Sequence, residues 1–150
     1  MRDLYLVLHI FLAAAWIGGG LTVGFLLPRM QQSGATAAKA FFGAYEGMGK
    51  IYFNVAGIGV LITGILLVLD GTNGYEFEDA FVIIGVIAVI IGAVLGMAGF
   101  GPLGRKVIAA YDAEDEGAVK TLTGRFATLG IIDALVLIVA LVAMVYKWGV

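Results

Sequence analysis

The chain has no cysteine, one histidine, one serine and two prolines among 150 residues, and only 13% of it is charged. Without cysteine there can be no disulfide, no thiolate metal site, no covalent c-type haem and no thiol nucleophile. The lone serine, Ser33, has no histidine near it in sequence, which argues against a Ser-His hydrolase. A phosphate-binding loop is also missing. The fragment Gly99-Phe100-Gly101 ends an apolar run and meets Pro102, so it does not read as a dinucleotide motif. The five methionines are scattered, which leaves a copper site with one histidine and no Met-rich motif. Nucleic acid is not suggested at a net charge of -2 with no basic field.

What the chain does have is apolar length. Hydrophobic residues make up 61% and mean hydropathy is +1.03, far from a soluble globular composition. A bilayer-spanning helix needs roughly 20 consecutive apolar residues. Four such runs occur, over about 4–27, 51–69, 80–100 and 126–146. The segments between them are too short for a separate core. The expected fold is all-α: one integral membrane domain over 1–150, a four-helix bundle arranged as two tandem helical hairpins. The first run is too long for a signal-peptide core and reads as a retained span.

Charge is segregated along the chain. Arg29, Lys39 and Lys50 lie between spans one and two, and Arg105, Lys106, Lys120 and Arg125 between spans three and four. The loop between spans two and three has no basic residue and carries Asp70, Glu76, Glu78 and Asp79. Short cytoplasmic loops collect Lys and Arg, so this split places both termini and the acidic loop outside, in a layout that fits a bacterial inner membrane. Tyr5, Tyr75, Tyr146 and Trp148 would mark the outer interface, and Phe100, Phe126 and Tyr52 the inner one. Ala37 to Met48 sets Ala37, Ala38, Phe41, Tyr45 and Met48 along one helical stripe, and Glu114 to Leu122 opens with acids. Spans two and four are therefore expected to begin as helical extensions below the membrane.

An offset of roughly 74 residues pairs Pro28-Arg29 with Pro102 and Arg105, and Lys50 with Arg125, as a duplicated hairpin would. Gly85, Gly92, Gly96 and Gly99 fall near one face of span three, and Gly57 and Gly64 share a face of span two. In lipid, small residues permit the close backbone approach that holds helices together. The alternative is a slot for a flat cofactor or lipid tail.

His9, Ala13, Trp16 and Gly20 recur at helical spacing and form one stripe in the first span. An ionisable or metal-ligating group inside a membrane has a functional default reading. The stripe suits a porphyrin, with His9 as axial ligand to haem iron, Ala13 leaving room and Trp16 against the macrocycle edge. It equally suits a histidine that hydrogen-bonds across helices beside a tryptophan that fills the bundle. Five residues in from the span end puts His9 roughly 8 Å deep at 1.5 Å per residue. Met144 sits at a similar depth on span four and is the candidate sixth ligand. A haem shared by two His9 residues of a symmetric dimer is the other geometry. Asp133, the second ionisable group in a span, needs a partner or a proton, and Asn54, Tyr52, Lys50 and Thr128 are at comparable depth.

Leu8-His9, six residues, then Trp16-Ile17-Gly18-Gly19 resembles the first-span signature of the CopD family of copper-resistance membrane proteins. It is also similar to the first span of HemJ-type protoporphyrinogen oxidases, and Leu27-Pro28-Arg29 is similar to their Leu-Pro-Arg segment. Small four-span bacterial membrane proteins share this layout across most of their length. The resemblance implies haem b at His9 and carries over His9 and Trp16 alone. The further histidines and the third-span lysine of HemJ-like proteins have no counterpart here, and Pro28-Arg29 lies about one turn further from Trp16 than in their pattern.

Three functional expectations follow. One is a small membrane haem protein that passes electrons. Another is a non-catalytic accessory or scaffold subunit that docks other membrane subunits or a second copy of itself, with the bilayer as its solvent. A third is an ion or proton transport element centred on Asp133.

Overall fold

The computed structural model describes residues 1–72 and 74–150. Four long helices make up the chain: α1, Arg2–Gln32; α2, Ala35–Leu69; α3, Ala80–Asp112; and α4, Glu116–Tyr146. All four are long and apolar enough to cross a membrane, and no strand occurs among the described residues. The protein is an all-α integral membrane four-helix bundle. Every backbone polar group in hydrocarbon must be satisfied within the chain, and a helix achieves this with no edge left over.

The connections are shorter than the sequence suggests. Ser33 and Gly34 alone join α1 to α2, and Gly34 takes φ of +104°, which glycine adopts without a Cβ penalty. Three residues join α3 to α4. There Asp115 caps the last helix, its Oδ1 accepting from Ala118 N–H at 2.9 Å. Chains that reverse so tightly must run antiparallel, so α1/α2 and α3/α4 form two hairpins. The expected extension before span two is present as Ala35–Met48. The helix that carries the third span does not stop at Pro102 but continues as Gly101–Asp112 past the span's expected end at 100. Proline early in a helical stretch lacks only a donor that can go without an acceptor, and the turn just before it, Leu95–Phe100, is π-helical, which relaxes the register around it. A matching π-helical turn, Gly49–Phe53, joins the α2 extension to its span.

The best-packed core lies at the end bearing the basic loops. Phe42, Tyr45, Phe100, Val107 and Phe126 are buried there with Val23 and Leu27. Phe126 lies edge-on to Phe42 at 5.2 Å and to Tyr45 and Phe100 at 5.1 Å each. Such T-shaped pairs add stabilisation beyond area burial. Phe100 and Phe126 are therefore core residues, not members of an interfacial belt. The buried stripe of the α2 extension is Ala38, Phe42 and Tyr45; Phe41 is half-buried and Met48 exposed. Ion pairs tie the extensions together outside this core. Lys39 Nζ meets Asp112 Oδ1 at 2.8 Å, and Glu46 receives Lys50 at 3.0 Å and Arg105 at 3.5 Å.

At the acidic end, Val68, Phe81, Val82 and Ala143 form a smaller core with Tyr75 and Met144 against it. Phe81 N–H donates to the Trp148 carbonyl at 2.9 Å. The Lys147 ammonium lies 4.8 Å from the Tyr75 ring centre and 4.7 Å from that of Phe81. The residues after α4 are thereby fastened to the start of α3 by a hydrogen bond and two cation–π contacts.

Candidate functional site

The α1/α2 interface is built from bulky side chains seated on glycines of the facing helix. Leu12 covers Gly59, where an added Cβ would lie 2.6 Å from Leu12 Cδ1. Trp16 covers Gly57, whose Cβ would approach its ring at 3.1 and 3.2 Å. On the other partner, Tyr52 covers Gly19, with a Cβ position 2.6 Å from its ring. Tyr52 O–H also donates to the Ala15 carbonyl at 2.7 Å. Each missing methyl brings the helices closer and lets a large ring contact backbone.

Trp16 does more than close one hairpin. It is 6% exposed, and a Cβ on Gly92 of α3 would overlap its ring, so the indole is held between glycines of α2 and α3. One side chain joins the two hairpins. The face of the first span expected to border a macrocycle edge is thus filled, at Trp16, by the protein's own helices.

His9 is the polar member of the same row. Its Nδ1 lies 3.1 Å from the Val60 carbonyl and 3.0 Å from Thr63 Oγ1, with its ring edge over Gly64. A carbonyl can only accept, so the proton resides on Nδ1. Thr63 O–H donates to the Gly59 carbonyl at 2.6 Å, leaving its oxygen free to accept from His9. This network requires a proton on Nδ1, so that in the neutral ring the Nε2 lone pair is the basic position. A hydrogen-bonded Nδ1 with a free Nε2 is the arrangement in which histidine ligates a metal, the second partner holding the ring's orientation. Among the described residues, no group of three or more His, Cys, Asp and Glu side chains is placed to hold a metal ion.

The remaining candidates are placed as follows. Ala13 is half-buried next to Leu12, and Gly20 has open space over it. Met144 belongs to the acidic-end core, its methyl filling the place a Cβ on Gly85 would take. Asp133 is half-buried in α4. The polar groups expected around it bond elsewhere. Asn54 Nδ2 donates to the Lys50 carbonyl at 3.0 Å, Thr128 O–H to the Gly124 carbonyl at 3.0 Å, and Tyr52 to α1. No hydrogen bond or ion pair joins Asp133 to another described side chain.

Thr63 and the Val60 carbonyl were not foreseen as partners of His9. A signal existed: Thr63 is the only serine or threonine in span two, and the antiparallel register carries it to the depth of His9. The glycines of span three do pack closely, Gly85 under Met144, Gly92 under Trp16 and Gly99 under Leu129, while Gly96 faces open space. Compared with known protein families, curated proteins and solved structures, the chain matches none.

Proposed function

We propose that the chain is an accessory subunit of a larger membrane assembly, docking a partner helix through the exposed side of α4. Asp133 carries this reading. A carboxyl group in hydrocarbon requires a partner or a proton, and no described side chain of its own chain bonds to it. Asp133 shares the side of α4 that carries buried Phe126, while Ile131, Ile132 and Leu135 on the other side are 61, 43 and 57% exposed, an uncovered apolar surface. A partner that covers that surface and sends a hydrogen-bond donor or a cation between the helices to the half-buried acid would meet both needs. His9 and Trp16 on this reading hold the bundle that presents α4.

The test is electrophoresis of membranes solubilised in mild detergent under native conditions, comparing the wild type with Asp133→Ala and Asp133→Asn. The expected result is a band heavier than the monomer that is lost in the alanine variant and partly kept in the asparagine variant. Migration of the wild type as a monomer would overturn the proposal.

His9 supports a second reading, a haem-b electron-transfer protein. Nε2 is free and its ring is oriented by Val60 and Thr63, so His9 fits one axial position. Trp16 does not fit as the wall of an internal slot, because Gly57 and Gly92 already receive its ring. A porphyrin would have to meet His9 from outside the packed row. Bound haem would supply a one-electron couple; the residues of this chain would contribute the ligand and its orientation. Visible spectra of the detergent-purified protein, oxidised and dithionite-reduced, decide the matter. A Soret band that shifts on reduction and vanishes in His9→Ala would establish it. A colourless protein from haem-replete cells would remove it.

A further inference from the structure

Of the seven cations at the basic end of the bundle, four have a carboxylate, carbonyl or aromatic partner, and Lys106, Lys120 and Arg125 have none among the described residues. Lys39 is paired with Asp112, and Lys50 and Arg105 with Glu46. Arg29 bonds the Phe25 carbonyl at 2.9 Å and stacks on the Phe25 ring. Lys106 of α3 and Arg125 of α4 have neither a hydrogen bond nor an ion pair among the described residues, and both are exposed. They border the same groove, a cleft of about 370 Å³ between the two helices.

The walls of that groove are apolar where it runs into the membrane-spanning part. Leu103, Leu129 and the bare backbone of Gly99 line it, with Thr128 as the one neutral polar side chain and no acid. Gly99 lets Leu129 seat directly on the α3 backbone at the inner end of the groove, since a Cβ there would stand 2.9 Å from Leu129 Cδ1. The antiparallel contact of Gly99 with Leu129 sets the register of the helices. Arg125 therefore lies about one turn nearer the membrane-spanning part than Lys106, roughly 5 Å at 1.5 Å per residue. A groove with two unpaired cations at its mouth and an apolar track leading inward is complementary to a phosphate that carries an acyl chain. A free phosphate would use the cations and leave the track empty.

We infer that Lys106, Arg125 and the apolar groove between α3 and α4 bind an anionic phospholipid of the leaflet at the basic end, phosphate at the cations and one acyl chain along Leu103, Gly99 and Leu129. Basic pockets between transmembrane helices recognise anionic headgroups in this way, each cation adding about 1 kcal/mol, a factor of about five in binding.

Native mass spectrometry of the full chain, released from detergent doped separately with phosphatidylglycerol and phosphatidylcholine, tests the site. Retained phosphatidylglycerol is expected to exceed retained phosphatidylcholine, and Lys106→Gln/Arg125→Gln is expected to lower phosphatidylglycerol retention by about 25-fold with phosphatidylcholine unchanged. Lys120→Gln removes a cation from the same end outside the groove and should leave retention intact. Its thermal melt and that of the double variant establish that both fold. An equal loss in Lys120→Gln would mean diffuse charge and overturn the inference. Full displacement of the lipid by millimolar inorganic phosphate would also overturn it, since that identifies an anion site that makes no use of the acyl track.

Discussion

The two hairpins close by the same device with different side chains. In α1/α2 three of the four covered glycines receive rings, Trp16 on Gly57, Tyr52 on Gly19 and His9 on Gly64, two of which also hydrogen-bond the facing backbone, and only Gly59 receives an aliphatic end, that of Leu12. In α3/α4 the glycines receive flexible apolar ends, Met144 on Gly85 and Leu129 on Gly99. A ring has few ways to move aside, and a ring tied by a hydrogen bond has fewer. A methionine methyl or a leucine methyl can rotate away. The first hairpin should therefore be rigid and sensitive to substitution, the second tolerant, although both look equally glycine-rich in sequence.

The largest effect should come from the residue that joins the hairpins. Trp16→Ala is expected to destabilise the detergent-solubilised protein by about 3–5 kcal/mol, read from loss of helical circular dichroism on titration with a denaturing detergent. A loss under 1 kcal/mol would show that the indole is not the link between them. Next is overpacking. Gly92→Ala should lower stability by about 1–3 kcal/mol, because the new methyl overlaps a ring already confined by Gly57. Gly85→Ala, which meets only the Met144 methyl, should change it by less than about 1 kcal/mol, and equal effects of the two glycine substitutions would erase the proposed difference between hairpins.

His9→Ala removes a hydrogen bond between α1 and α2 and should cost about 1–2 kcal/mol in the same titration. His9→Phe, which keeps a ring over Gly64 without the donor, separates packing from hydrogen bonding. The smallest effect concerns the ion pairs outside the membrane. The Lys50 ammonium, bonded to Glu46, and then Arg105 hold the Glu46 carboxyl below its ordinary value. A carboxyl depressed on folding stabilises the protein above its unfolded value and loses that contribution as pH falls through the lowered one. Melting temperature should thus decline slightly on acidification below the usual glutamate range, with Glu46→Gln removing that part of the decline. Added salt should shrink the difference, as expected for an exposed pair.

Much of this was legible without coordinates. Four apolar runs can satisfy their backbone in hydrocarbon only as helices, so the all-α fold and the span positions follow from composition and length. His9 and Asp133 stand out because ionisable groups are scarce in such runs. The partners of those two residues were not legible. Asn54 lies at a depth similar to that of Asp133 and yet turns to the Lys50 carbonyl of its own helix, while the expected porphyrin edge at Trp16 is a helix-to-helix contact. Depth in a membrane can be counted along a helix, but rotation about its axis cannot, and rotation decides which face a side chain meets.

The sequence by itself determined that this chain crosses a membrane four times, that its charges divide between two ends, and that any imidazole chemistry must belong to His9. The tertiary structure alone decided that His9 donates from Nδ1 to α2, that Trp16 lies between Gly57 and Gly92, and that Lys106 and Arg125 share one groove while Lys39, Lys50 and Arg105 are paired. The reason is that hydropathy acts on each segment separately, through its transfer from water to lipid. Helix contacts inside lipid have no such drive and depend on the shape of one surface against another.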